Sequence, residues 1–187
     1  MTTHTEFPQD AALAVFARKE MTVRPARLED APAWLRFLQA LDRETDFMMF
    51  EAGERSQSIE KCEEAIRRID VVRNAMLLMV WNAQGQIVGY VKGDVIPLKR
   101  KAHVMSASCA FSSAHQGDTG TALLQYFLGE VERGGDIKRV EAAVMTHNVR
   151  MLVVALKLGC EIESIRRNAV RLSTGFQDEY IIVKHFE

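Results

Sequence analysis

Hydrophobic and polar positions follow two spacings along this chain, one typical of strands and one typical of helices. Short runs rich in valine, isoleucine, leucine and methionine, bounded by glycine, asparagine or charged residues, predict seven strands. These strands cover residues 22–25, 75–81, 86–94, 103–110, 139–145, 161–171 and 179–185. The turn-forming residues 82–85 separate the second strand from the third, which predicts an antiparallel hairpin.

Apolar residues three and four positions apart predict helices over 29–43, 59–71 and 149–158, and a long helix that ends near 134. A shorter helix is predicted over 11–18, ahead of the first strand. The order of elements indicates the α/β class: one domain with a mixed, mostly antiparallel seven-stranded sheet flanked by about four helices. We predict an amino-terminal extension at 1–20 and the domain at 21–187.

Composition restricts the function classes. The 187 residues are 48% apolar and 26% charged, with a formal net charge of -1, so no overall field favours nucleic acid or an anionic membrane. The three cysteines and five histidines show no disulfide framework and no metal-ligand spacing, which favours a reducing cytosol and no metal site. No apolar run is long enough to span a bilayer, and the start lacks the pattern of a signal peptide.

Residues 112–134 carry the main functional signal. A polar loop with glycines follows a strand of small residues and leads directly into the long helix, whose apolar positions begin at Leu123. The first amides of a helix lack intrahelical partners and carry partial positive charge, so the loop could bind an anion. The glycines could equally serve only to make the turn.

The order of elements and several short strings resemble the GNAT superfamily of acyl-CoA-dependent N-acetyltransferases, over residues 21–187. The string GTALL from Gly120 to Leu124 matches the end of the family's pyrophosphate-binding pattern, and Asn148 and Gly159 match elements of its second cofactor helix. The resemblance implies that acetyl-CoA binds between the strands at 103–110 and 139–145. The residues it assigns to the cofactor are Ala110, His115, Gln116, Gly117, Asp118, Thr119, Gly120, Thr121 and Asn148.

Two of these positions depart from the family pattern. His115 occupies the usual Gln or Arg position, unless a shorter loop places Gln116 there, and Asp118 replaces the first glycine. A carboxylate about 4 Å from phosphate would oppose binding by roughly 4 kcal/mol at an effective dielectric near 20. Asp118 could also cap the helix and occupy its amides. Rotation of Asp118 to solvent, with His115 or the basic run 99–101 compensating, would restore binding.

The residues for acid and base chemistry are less clear. Ala155 stands where the family often has the tyrosine that protonates the CoA thiolate, although a thiol with a pKa of about 8.5 leaves without much help. The strand 103–110 lacks the family's usual carboxylate, so Ser108, His103 or, from the loop at 45–55, Glu51 are the candidates for the base. That loop is rich in methionine and phenylalanine and could form a substrate wall or simply cover the core.

Two hypotheses follow from the sequence. The first is a cytoplasmic N-acetyltransferase that passes the acetyl group of acetyl-CoA directly to a small-molecule or protein amine. The second is a catalytically impaired GNAT-fold protein that serves as a ligand-binding or interaction module. Exposed strand edges also make a homodimer plausible, and the extension at 1–20 could instead make the chain an assembly component.

Overall fold

A computed structural model describes residues 9–56, 58–115 and 117–187. Within these ranges five α-helices form where apolar residues recur at helical spacing. They are α1 (Gln9–Arg18), α2 (Ala31–Glu44), α3 (Ile59–Val71), α4 (Asp118–Gly134) and α5 (Val149–Lys157). Ser58 precedes α3 at the N-cap position, but its hydroxyl donates to the Glu60 carboxylate instead of capping the helix.

Seven strands form a single sheet in the order β1-β2-β3-β4-β5-β7-β6. The strands are β1 (Thr22–Pro25), β2 (Met76–Trp81), β3 (Ile87–Val95), β4 (Val104–Phe111), β5 (Arg139–Met145), β6 (Glu161–Leu172) and β7 (Gly175–His185). Only β4 and β5 pair in parallel, and the other neighbours are antiparallel. The prediction of a mixed, mostly antiparallel seven-stranded sheet with helices is therefore confirmed.

Helices cover both faces of the sheet. α2 and α3 pack against Leu77 and Met79 on one face, while α1 and α4 pack against Val80 and Val91 on the other. α5 lies on the same side as α4, where Ala155 contacts β5 and β7. The sheet thus separates two compartments, and anything that lies in a gap between strands is accessible from both.

The amino-terminal helix α1 is packed into the main core. Ala12 and Phe16 are buried together with residues of α4, and Gln9 donates a hydrogen bond of 2.7 Å to Glu130. The two helices run in opposite directions, because the end of α1 lies at the start of α4: Lys19 Nζ is 3.3 Å from Thr119 Oγ1. α1 therefore brings two basic residues, Arg18 and Lys19, to the amino-terminal end of α4.

At the far edge of the sheet, β6 is long and exposed. Its twelve residues pair with β7 alone, and the register shifts twice along this pair. Five of the twelve residues are charged: Glu161, Glu163, Arg166, Arg167 and Arg171.

Candidate active site

A cavity of about 760 Å³ opens between β4 and β5. The two strands pair only from Val104 to Ser106 and from Arg139 to Glu141, and the cavity is lined by the segments that follow, 107–111 and 142–145. Because parallel pairing stops there, the edge of β4 that faces β5 leaves backbone N–H and C=O groups for another partner. The start of α4, α5 and the loop at 45–55 complete the lining.

The loop before α4 presents free amides to this cavity. Gly117 adopts φ 87° and ψ -121° immediately before the helix, a conformation that glycine tolerates and other residues avoid. The amide of Thr121 donates to the Gly117 carbonyl at 3.0 Å. The amides of Asp118, Thr119 and Gly120 therefore precede the first intrahelical hydrogen bond, and they form the type of anion site expected at a helix start.

Asp118 points away from those amides. Its side chain is 74% exposed and lies 4.0 Å from the guanidinium of Arg18, and within the described ranges it accepts no hydrogen bond from the first turn of α4. The side chain of Asp118 is therefore rotated to solvent, which is one of the states considered from the sequence. The cation near it belongs to α1, and not to the run 99–101. The run 99–101 lies between β3 and β4, at the opposite end of β4 from the loop, and so it is more than about 20 Å from the loop by strand rise.

Gly120 has a packing role of its own. A Cβ atom at this position would lie 3.3 Å from the Phe111 ring, and one at Gly89 would lie 2.4 Å from the same ring. The ring of Phe111 therefore occupies space that two glycines, one on β3 and one on α4, leave open. This contact holds the start of α4 close to the end of β4, where the cavity begins.

The structure brings together six of the residues that the sequence assigned to the site. Ser108, Ala110, Gly117, Gly120, Thr121 and Asn148 line the cavity. Asn148 also caps α5, since its side-chain oxygen accepts from the Met151 amide at 3.2 Å. Thr119 is buried beside Lys19 at the start of α4.

Three assigned residues lie elsewhere. His103 precedes β4, at the end of the strand that is away from the loop. Glu51 is exposed, and its backbone amide donates to the Glu54 carboxylate. Neither residue lines the cavity. His115 lies beside the loop, with Nδ1 2.9 Å from Ser112 Oγ. Gln116 falls outside the described residues.

The loop at 45–55, which we call the lid loop, covers the cavity from the α2 side. Phe47, Met48, Met49, Phe50 and Arg55 line the cavity from this loop. The ring of Phe47 packs on His147, with centroids 5.1 Å apart, so the loop reaches across to the segment between β5 and α5. The aromatic and methionine side chains of the loop thus form one wall of the cavity.

A buried ion pair anchors the lid loop. Arg55 donates to both oxygens of Asp42 on α2, at 2.6 and 2.8 Å, and the Asp42 side chain is only 1% exposed. Hydrogen bonding to Asp42 raises the pKa of Arg55, against the opposing effect of burial. This pair was not predicted, because its only signal in the sequence is two opposite charges thirteen residues apart on either side of a loop.

One carboxylate lies among the described residues that line the cavity, and the sequence analysis did not select it. Glu179 on β7 is 8% exposed, directly across from Met145 in the β5–β7 register. The available signal was an acidic residue next to the apolar run Tyr180–Val183 of a predicted strand. An acid in such a place is buried unless the strand is at an edge.

The thiols and the phenol at the cavity are not nucleophiles. Burial raises the pKa of Cys109 to about 12 and, as the largest effect, raises the pKa of Tyr90 to about 12. Burial also raises the pKa of Cys160. Because a thiol attacks as its thiolate, these groups offer no covalent intermediate near neutral pH.

The described residues contain no group of His, Cys, Asp and Glu side chains that could bind a metal ion. Across the same residues, no helix has the length and apolar character needed to cross a membrane.

Comparison with known families and structures gives a consistent result. The family model described as "Acetyltransferase (GNAT) domain" matches residues 20–161, and α1 precedes this segment. Comparison with curated protein sequences gives no match.

Three solved structures show how far the similarity extends. An acetyltransferase of the GNAT family from Streptococcus pneumoniae superposes with a TM-score of 0.84 at 22% identity, covering 90% of this chain and 100% of its own. Ribosomal-protein-alanine N-acetyltransferase from Brucella melitensis gives 0.76 at 18% identity, with 88% and 99% covered. A GNAT superfamily phosphinothricin acetyltransferase from Sinorhizobium meliloti, in complex with acetyl-CoA, gives 0.78 at 14% identity, with 89% of each chain covered.

Proposed function

Because this chain belongs to the GNAT family of acetyltransferases, we propose that it transfers the acetyl group of acetyl-CoA directly to an amine. The observation that carries the proposal is the cavity between β4 and β5, which begins at the free amides of α4 and continues through the sheet to the lid loop. An anion site at one end and an apolar wall at the other fit a long, phosphorylated cosubstrate that meets a second molecule.

In this proposal the pyrophosphate of acetyl-CoA lies against the free amides of Asp118, Thr119 and Gly120 at the start of α4. The pantetheine arm extends along β4 near Ala110, where backbone groups on the open edge are not taken by β5. Arg18 and Lys19 at the end of α1 offset the charge of Asp118. An anion at the helix start therefore meets less repulsion than the sequence alone suggests.

The reaction proposed is a single direct displacement. A neutral amine attacks the thioester carbonyl, a backbone N–H near Ala110 polarises the carbonyl oxygen, and the CoA thiolate leaves. Ala155 is 2% exposed and lines the cavity, so that position supplies no proton to the thiolate. A thiol with a pKa of about 8.5 is still a competent leaving group.

The test is calorimetric titration with acetyl-CoA of three proteins: the unmodified chain, Asp118→Gly, and the control Asp136→Gly. Asp136 is also an exposed acid with an arginine partner, but it follows the far end of α4. We expect micromolar binding by all three. Since Asp118 is 74% exposed, its removal tightens binding by at most about fivefold, the effect of like charges about 4 Å apart in water.

Absence of acetyl-CoA binding by the unmodified chain and by Asp118→Gly would refute the proposal. Binding without acetylation of any amine would favour the alternative, a GNAT-fold module that binds its ligand without turnover. Strong binding only in Asp118→Gly would mean that the carboxylate blocks the phosphate position despite its exposure.

We keep three related expectations as proposals: an amine as the partner substrate, a cytoplasmic location suggested by three free cysteines, and a homodimer. For the homodimer, deletion of residues 1–20 is a poor test, because it would uncover the core around Phe16. The mass of the full chain in solution by light scattering is the appropriate measurement, and a monomeric mass would reject the dimer.

A further inference from the structure

Glu179 differs from the other buried acids of the described chain in its partners. Asp30 and Asp42 each receive two hydrogen bonds of 2.6 to 2.8 Å from an arginine. The nearest cation to Glu179 is Arg166, whose Nη1 atom is 3.8 Å away and whose side chain is 62% exposed. This distance is beyond hydrogen-bonding range, so Glu179 is buried without the partner that the other two have.

A buried carboxylate without hydrogen bonds is destabilising, so Glu179 needs hydrogen-bond donors from outside the described side chains. Among the described side chains, the only polar atoms that are both sealed from solvent and unpartnered are the indole nitrogens of Trp34 and Trp81. The oxygens of Glu179 are therefore open, and the residue lines the cavity. Whatever occupies the cavity supplies its hydrogen-bond donors.

The strand register shows which side of the sheet Glu179 faces. Val144 and Ile182 pack on Ala155 of α5, and neighbouring residues on a strand point to opposite faces. Glu179 and its partner Met145 therefore face away from α5. That side is the compartment of α2 and the lid loop, opposite the start of α4.

This placement divides the cavity between two substrates. The amides that would hold the phosphates of acetyl-CoA lie on the α4 side, which leaves the lid side for the acceptor. We infer that Glu179 is the general base of the acetyl transfer and that it binds the acceptor amine as its ammonium form. The inference rests on the proposed function. In it, β7 provides the carboxylate that is absent from β4.

The proton balance is complete without a further group. The Glu179 carboxylate takes one proton from the ammonium, and the nitrogen lone pair then forms the N–C bond with the acetyl carbonyl. The nitrogen gives up its second proton to solvent as the C–S bond breaks, and the electrons of that bond leave on the CoA sulfur, which takes a proton from solvent. The net products are the amide, the CoA thiol and the proton held by Glu179. The aromatic and thioether side chains of the lid loop favour an acceptor with an apolar group next to its amine.

The experiment compares Glu179→Gln with the unmodified chain and with the control Glu163→Gln. Glu163 is an acid of β6 that pairs with Arg139 and lies outside the cavity. The probes are spermidine, an aralkyl amine and short peptides with free amino termini, and released CoA thiol reports turnover. General base catalysis is worth about 100- to 10,000-fold, so we expect Glu179→Gln to lower kcat by at least about 100-fold.

Two readouts separate a base from a structural role. The KM for acetyl-CoA stays within about twofold in Glu179→Gln, and the loss in kcat shrinks as the pH rises from about 7 to 9, because water then deprotonates more of the amine. The charged side chain near Glu179 is that of Arg166, and the cross-strand partner of Glu179 is the neutral Met145. In Glu179→Ala, added formate restores part of the rate by filling the space of the missing carboxylate.

A Glu179→Gln variant that keeps more than about a third of kcat would overturn the inference, as would a loss that neither higher pH nor formate reduces. If the unmodified chain binds acetyl-CoA but acetylates none of the amines, the proposed function fails and the base role fails with it. That result is distinguishable, because it is seen before any substitution is made.

Discussion

The ion pair between Asp42 and Arg55 gives the sharpest prediction for the lid loop. In Arg55→Met the methionine keeps much of the volume of the arginine stem but leaves the Asp42 charge without its two hydrogen bonds. The Asp42 side chain is 1% exposed and that of Arg55 is 15% exposed, so water cannot replace the missing partner. Removing one member of a buried pair costs about 3 to 5 kcal/mol of unfolding free energy.

For a chain of 187 residues, an unfolding entropy of about 2 cal/mol/K per residue converts this cost into a fall in Tm of about 8 to 13 °C. Urea unfolding followed by circular dichroism measures the free energy directly. Arg43→Met, on an exposed position of α2, is the matched control and should change stability by less than about 0.5 kcal/mol.

A double substitution tests the cause. In Asp42→Leu with Arg55→Met no charge remains buried, so the double variant should regain more than half of the lost stability. If Arg55→Met costs less than about 1 kcal/mol, or if the double variant is less stable than either single one, the pair is not what anchors the lid loop.

Three further predictions concern other contacts. Gly89→Ala should cost about 1 to 3 kcal/mol in urea unfolding, because its Cβ would lie 2.4 Å from the Phe111 ring, whereas Gly134→Ala, with nothing within 4 Å, should not destabilise. Burial opposes ionisation of Asp30, but hydrogen bonds from its arginine partner and from a backbone amide leave its pKa lowered. The difference in unfolding free energy between the unmodified chain and Asp30→Asn should therefore be complete above about pH 5 and shrink as the pH falls below about 4. Cys109 is partly buried and has a pKa of about 12; it should react slowly with a disulfide reagent at pH 8 in the native chain and rapidly after denaturant is added, and equally rapid labelling in both conditions would contradict the raised pKa.

Local sequence patterns predicted most of the fold. The bounds of β1, β5 and α3 were predicted to the residue, because polar residues lie within two positions outside each end of these elements. β7 was predicted to start at 179 but starts at Gly175, since the turn from β6 is only two residues long and Leu172 already pairs with Gly175. The polar residues at the start of β7 concealed this pairing.

The candidate site was less predictable, because it depends on contacts between distant segments. Gly120 and Asn148 were recognisable from their local pattern. The approach of Phe47 to His147, by contrast, joins positions one hundred residues apart, and the place of Glu179 depends on the register of β7 against β5. The compensation of Asp118 by α1 was hidden for the same reason, since nothing near Arg18 in sequence indicates where α1 packs.

The long edge strand β6 has a consequence for how this protein behaves at high concentration. An edge of twelve residues could template strand addition and lead to fibrous aggregates. Two carboxylates near the start of the strand and three guanidinium groups after them, together with two register shifts that twist the strand, make a flat intermolecular ladder unfavourable. Replacing Arg166 and Arg167 with valine would remove this protection. The chain would stay folded, but it would become prone to precipitate.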